Sequence, residues 1–154
     1  NVPVRFGGLG KVSIGADVVL GFRDAPIIGN GKILIQARAT DSVISIGEGT
    51  IMSNNISIVS CCSILIGKNC LIGDQTTIID CDFHDTNPET RVLSDGIKSP
   101  VNIGSNVWVG SRVMVLKGVQ IGNDSVISAG SVVASSIPER SLAKGIPAKV
   151  YKIL

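Results

Sequence analysis

One segment of this 154-residue chain concentrates the side chains that could do chemistry. The run Asp80-Cys81-Asp82-Phe83-His84-Asp85-Thr86-Asn87-Pro88-Glu89-Thr90-Arg91 is dense in ionisable groups and holds the only histidine. An imidazole has an unperturbed pKa of about 6.5, so His84 suits proton transfer near neutral pH. A working histidine is usually held in one tautomer by an acceptor on its other ring nitrogen. Asp80, Asp82, Asp85 and Glu89 are all near, and Asp82, two residues away, is the expected partner. Arg91 is expected to pin the loop or to contact a substrate, and a solvated loop histidine is the plainer alternative for His84.

The four cysteines, Cys61, Cys62, Cys70 and Cys81, show no CxxC pairing and no framework of a short secreted chain, so reduced thiols in a cytoplasmic protein are expected. A single histidine argues against a metal centre built from several histidines. No basic, apolar leader opens the chain at Asn1, so no signal peptide is expected. The formal charge is +2 with Lys and Arg scattered, which leaves no stripe for nucleic acid or anionic lipid. The uncharged run 49–67 is too polar for a membrane span, since Ser53, Asn54, Asn55, Ser57, Ser60 and Ser63 would all enter hydrocarbon. A small-molecule partner remains.

The elements that must position His84 are legible as a repeat of six. Ile103, Val109, Val115, Ile121, Ile127 and Val133 are all aliphatic, and the residue after each is small except for Leu116. The fourth residue after each is again apolar or small: Val107, Val113, Val119, Ser125, Ser131 and Ile137. Ile46, Met52, Ile58 and Ile64 follow the same rule, which then slips by two and resumes at Ile66, Ile72 and Ile78. The segments at Ile14-Gly15 and Ile28-Gly29 read as weaker copies.

Six fits neither the 3.6 period of a helix nor the alternation of a two-faced strand. It fits a coil in which each hexad is a short strand plus a bend, three hexads close a triangular turn, and stacked turns bury one aliphatic column. The composition agrees, with 22 isoleucines and 18 valines but only 3% aromatics. The expectation is one all-β domain over residues 1–154, a parallel β-helix of roughly six or seven turns. One excursion leaves it over about 80–100, and a short tail closes the C-terminus. His84 falls six residues after Ile78, where the next inward aliphatic was due, so the chain turns out of the coil there.

Ile103-Gly104-Ser105-Asn106-Val107-Trp108-Val109-Gly110, Gly118-Val119-Gln120-Ile121-Gly122, Ala129-Gly130-Ser131-Val132-Val133 and Gly145-Ile146-Pro147-Ala148-Lys149 resemble, in this order, the hexapeptide-repeat acyltransferases. The likeness is to their sugar O-acetyltransferase branch, which includes galactoside, maltose and polysaccharide acetyltransferases. The resemblance implies a left-handed coil, which spacing does not fix and which the general right-handed preference of crossovers would oppose. It implies a homotrimer with sites between subunits, and acetyl-CoA as co-substrate. It also implies His84 as the general base that deprotonates an acceptor hydroxyl.

By the same resemblance, Gly110, Ser111, Ala129 and Gly130 would line the pantetheine arm and supply an oxyanion donor, with Trp108 close by. Lys149 and Lys152 would meet the CoA phosphates, while Ser135 stands where relatives often carry a further lysine. An acceptor-binding asparagine of the family falls on Ser53, so Asn54 or Asn55 is expected to supply the amide instead. The reading is an acetyl-CoA-dependent O-acetyltransferase of saccharides, with no metal. The alternatives are N-acylation of an amino sugar nucleotide and a non-catalytic β-solenoid. A hexapeptide-repeat carbonic anhydrase is excluded, because it needs three histidine ligands and usually draws two from one chain.

Overall fold

The computed structural model describes residues 2–154 as an all-strand coil. Three parallel sheets form the faces of a triangular prism. The first face stacks Val4–Gly8, Ile33–Ala37, Ser57–Ser60, Thr77–Ile79, Met114–Val115 and Val132–Val133, which counts six coils. The second runs from Lys11–Ile14 to Gln120–Ile121, and the third from Val19–Leu20 to Ser141–Gly145. Among the described residues the only antiparallel strand pair joins Ser141–Gly145 to Ala148–Ile153 and closes the C-terminal end. This hairpin is the expected tail.

The inward column is the hexad aliphatics. Val109, Val115, Ile127 and Val133 are fully buried, and Ile103 and Ile121 nearly so. The second inward set, Val107, Val113, Val119, Ser125, Ser131 and Ile137, is buried too. In the later coils paired residues lie 18 apart, as Trp108 beside Val126 and Met114 beside Val132. Earlier the step is 20, as Ile46 beside Ile66 and Ile58 beside Ile78. The slip of two seen in the sequence is therefore a wider coil, with the extra residues at Cys61-Cys62, between the first and second faces.

The small residues that follow the aliphatics have a steric cause. A Cβ at Gly67 would lie 2.6 Å from the Gly104 backbone, and one at Gly110 would lie 2.6 Å from the amide nitrogen of Ala129. The next coil's chain passes directly against these corners, so a side chain does not fit. A second corner position lies in the left-handed region and also repeats every six residues: Asn106, Arg112, Gly118, Asp124 and Gly130. Gly, Asn and Asp adopt that conformation readily, whereas Arg112 and Gln75 hold it against their preference.

One expectation is corrected here. Ile28-Gly29 is not a weak coil. Residues 21–32 form a second excursion, between the third face of the first coil and the first face of the second, with Ile27 and Ile28 more than half exposed. Pro26 and the positive φ values of Gly29 and Gly31 turn the chain there instead of continuing a strand.

Candidate active site

Insertions in three successive coils stack at one corner. Between the first and second faces, the last full coil turns tightly, the third coil adds Cys61-Cys62, and the second adds the stretch 38–42. The fourth leaves altogether for the excursion between Ile79 and Val101. The excursion departs as a short antiparallel stem, with Asp82 N donating to Ile97 O at 3.1 Å and Ser99 N to Asp80 O at 2.8 Å. The widened corner encloses a pocket of about 380 Å³ lined by Arg38, Ala39, Cys61, Phe83, His84, Asp95 and Lys98.

His84 Nδ1 lies 3.2 Å from the Arg91 carbonyl. A carbonyl only accepts, so Nδ1 carries a proton, and in the neutral ring Nε2 keeps its lone pair. This is the tautomer of a general base. The orienting group is thus a backbone oxygen and not Asp82, whose carboxylate accepts from Lys117 Nζ at 2.7 Å. Lys117 sits on the adjacent coil, 35 residues on, so that half-buried pair ties the excursion's base to the coil. Asp85 is engaged inside the loop, accepting from Asn87 N and Thr90 Oγ1 at 3.0 Å each. Those donors, the Asn87 amide foremost, hold its carboxyl below the usual range. The Arg91 guanidinium donates to Thr86 O at 3.3 Å, so it pins the loop in this conformation.

Asp80 is fully buried below the excursion. Its carboxylate accepts from Ser60 Oγ at 2.6 Å, Cys61 N at 2.6 Å and Cys62 N at 3.0 Å, satisfying the amides that the widened corner leaves free. The cysteines are free thiols, with Cys61 and Cys81 Sγ 2.7 Å apart. Burial pushes the Cys62 thiol up to about 11 and raises that of Cys81 further. Cys61, Asp80 and Cys81 are the one group among the described residues whose atoms converge as metal ligands would. With both Asp80 oxygens already accepting, the arrangement is a structural clamp.

Gly110, Ser111, Ala129 and Gly130 lie at a different corner, between the third and first faces. Ser111, Ala129 and Gly130 border a cavity of about 420 Å³ with Asp74, Gln75, Arg112, Pro26 and Ile28. The Ser111 hydroxyl beside Asp74 holds that carboxyl below its ordinary value. A Cβ at Gly130 would meet nothing within 4 Å, so its positive φ, and not crowding, selects glycine there. Trp108 is 55% exposed on the third face, in a shallow apolar depression with Phe22, Ile51, Ser53 and Leu71, and so is not packed against the excursion that carries His84. Lys149 and Lys152 are exposed on the closing hairpin, where Lys144 lies 3.5 Å from the centre of the Tyr151 ring.

Asn54 is corrected outright. It is fully buried, accepts from Phe22 N at 3.1 Å, and donates to Phe22 O and Ala25 O at 3.0 and 3.2 Å. It fastens the 21–32 excursion and has no amide left for a ligand. Asn55 is a left-handed corner residue whose amide reaches Pro26 O at 3.2 Å. Asn54→Ala is therefore expected to cost about 1–3 kcal/mol of stability by leaving buried backbone groups unpaired. Chemical denaturation checks this, and an unchanged midpoint would return Asn54 to the binding candidates.

Sequence reasoning missed Arg38, Phe83, Lys98, Asp74, Gln75 and Arg112. Their signal was present as interruptions: the hexad breaks after Ala37, and Gln75 and Arg112 occupy corner positions where Gly, Asn or Asp is the rule.

Residues 100–135 match the family model of the bacterial transferase hexapeptide (six repeats). The galactoside O-acetyltransferase of Escherichia coli (strain K12) is 38% identical over 111 residues, covering 72% of this chain and 54% of the relative. A hexapeptide-repeat acetyltransferase of Vibrio cholerae O1 biovar eltor, solved with acetyl coenzyme A, superposes with a TM-score of 0.74 at 27% identity, over 92% of this chain and 70% of that one. A galactoside acetyltransferase solved with coenzyme A gives 0.72 at 30% identity, over 92% and 64%. The chain spans about half the length of the curated relatives it matches. Repeat, coil and relatives together make the chain similar to the hexapeptide-repeat acyltransferases. Its coil is the left-handed parallel β-helix of that family, which settles the handedness that spacing left open.

Proposed function

We propose that this protein is an acetyl-CoA-dependent O-acetyltransferase acting on a saccharide hydroxyl, with His84 as general base. The observation that carries the reading is His84 itself: Nδ1–H held by the Arg91 carbonyl, Nε2 left as acceptor, and the ring lining a pocket at the widened corner. Nε2 takes the acceptor's hydroxyl proton as the oxygen attacks the thioester carbonyl. A tetrahedral oxyanion forms and collapses, the C–S bond breaks, and the imidazolium returns its proton to the CoA thiolate. A backbone N–H at the Ser111–Gly130 corner would stabilise the oxyanion. Lys149 and Lys152, exposed on the closing hairpin, would meet the phosphates of CoA.

His84 and the Ser111–Gly130 corner sit on different corners of one triangular coil, so a chain alone holds half of a site. This supports a homotrimer in which one subunit brings the histidine and its neighbour the CoA edge. The free thiols support a reducing compartment, the cytoplasm. Among the described residues no helix is long and apolar enough to cross a membrane.

The test is thiol release from acetyl-CoA against a panel of hydroxyl and amino sugars, with the mass of the active species measured by light scattering. Turnover with hydroxyl sugars by a trimer is expected. Transfer to amines alone would overturn the O-acetyl reading, and full activity in a monomer would overturn the shared site.

A further inference from the structure

The pocket at His84 holds one cation, Arg38, that forms no ion pair among the described residues. Two of its lining residues are cations, Arg38 and Lys98, and one is an acid, Asp95. Lys98 Nζ is bound to Asp95 at 3.1 Å, and Asp41 also lies near enough to favour its charge. Asp82, at the mouth of the same excursion, is committed to Lys117. Arg38 appears in none of the four ion pairs among the described residues.

Arg38 is nevertheless held in place. Its guanidinium carbon lies 5.1 Å from the centroid of the Phe83 ring, close enough for a cation–π contact. Phe83 directly precedes His84 and holds a φ of 64°, a conformation that a bulky residue does not choose for itself. The excursion thus places an aromatic platform beside the base, and a cation rests on that platform. Stacking leaves the N–H fork of a guanidinium available, and a fork fixed in advance loses little freedom when it binds. That fork matches an oxyanion bidentately.

We propose that the acceptor is an acidic saccharide, whose carboxylate or phosphate is bound by Arg38 while His84 deprotonates a nearby hydroxyl. This rests on the reading of His84 as the base of an O-acetyltransferase and adds the charge of its substrate. A neutral sugar would leave the guanidinium facing water, whereas an acidic one supplies its missing counter-charge.

The experiment compares three acceptors on the full chain: methyl glucuronide, methyl glucoside and glucose 6-phosphate. Rates of thiol release and binding by titration calorimetry are measured for the wild type, Arg38→Gln and Arg38→Lys. In the wild type, kcat/KM for at least one anionic acceptor should exceed that for the glucoside by roughly tenfold to a hundredfold, the worth of one charged hydrogen-bonded pair, mainly through KM. The two anionic sugars tell a carboxylate from a phosphate site. Arg38→Gln should collapse the preference, and Arg38→Lys should restore it only in part, since lysine keeps the charge but not the fork.

A wild type that uses the glucoside equally well, or a preference that survives Arg38→Gln, would overturn the proposal. So would a variant whose defect lies in KM for acetyl-CoA. If no sugar is acetylated at all, the transferase reading fails, and the titrations decide about Arg38 separately. Tighter wild-type binding of an anionic sugar, lost in Arg38→Gln, keeps the anion site, and equal binding of charged and neutral sugars removes it.

Discussion

Replacing His84 by alanine is expected to lower kcat by roughly 10²–10⁴, the span for removing a positioned general base. The melting temperature should hardly move. His84 is exposed on an excursion outside the aliphatic column, and among the described residues its side chain bonds to the Arg91 carbonyl. Such a bond contributes about 1 kcal/mol net. His84→Asn sharpens the test, because its amide N–H can still donate toward the carbonyl of Arg91 yet cannot accept a proton at neutral pH. Both variants should lose turnover in single-turnover assays while keeping a cooperative melt. A variant that unfolds, or a His84→Asn protein that works normally, would make the histidine structural.

Asp80→Ala should have the largest effect on stability, about 3 kcal/mol or more, read as a shift in the urea midpoint at unchanged slope. The substitution leaves two backbone amides and the Ser60 hydroxyl without their acceptor at a corner where Ser60, Cys61 and Asp80 are buried. Asp80→Asn should cost less, since one amide oxygen can still accept. The loss should appear also in turnover, because the stem that carries His84 starts at this residue. A shift below about 1 kcal/mol would show that the corner holds without its clamp.

The coil was legible because its rule is local. Each inward aliphatic from Ile103 to Val133 declares its position without reference to any other part of the chain, and so does the slip at Ile64 and Ile66. The excursion at 80–100 was legible as the place where that rule stops. The excursion at 21–32 was hidden because Ile27, Ile28 and their glycines imitate a hexad, although the two isoleucines face solvent. The partners of the site residues were not legible, since they depend on stacking. Asp82 meets Lys117 because one coil lies against the next, and Asn54 disappears inside because the 21–32 excursion folds over it. Arg38 joins the pocket for the same reason: three successive coils widen at one corner, and sequence separation conceals that they share it. Ser53, Trp108 and the lysines at 149 and 152 remain binding candidates by resemblance alone.

The most direct measurement of the central claim is the chemical linkage in the product. Acetyl-CoA and an accepted saccharide are incubated with the protein, and the acetylated product is isolated and exposed to mild alkali while its acetyl signal is followed by NMR. An O-acetyl ester that alkali removes, formed by the wild type and not by His84→Asn, is the predicted result. An alkali-stable N-acetyl product, or an ester formed equally well without His84, would contradict the account.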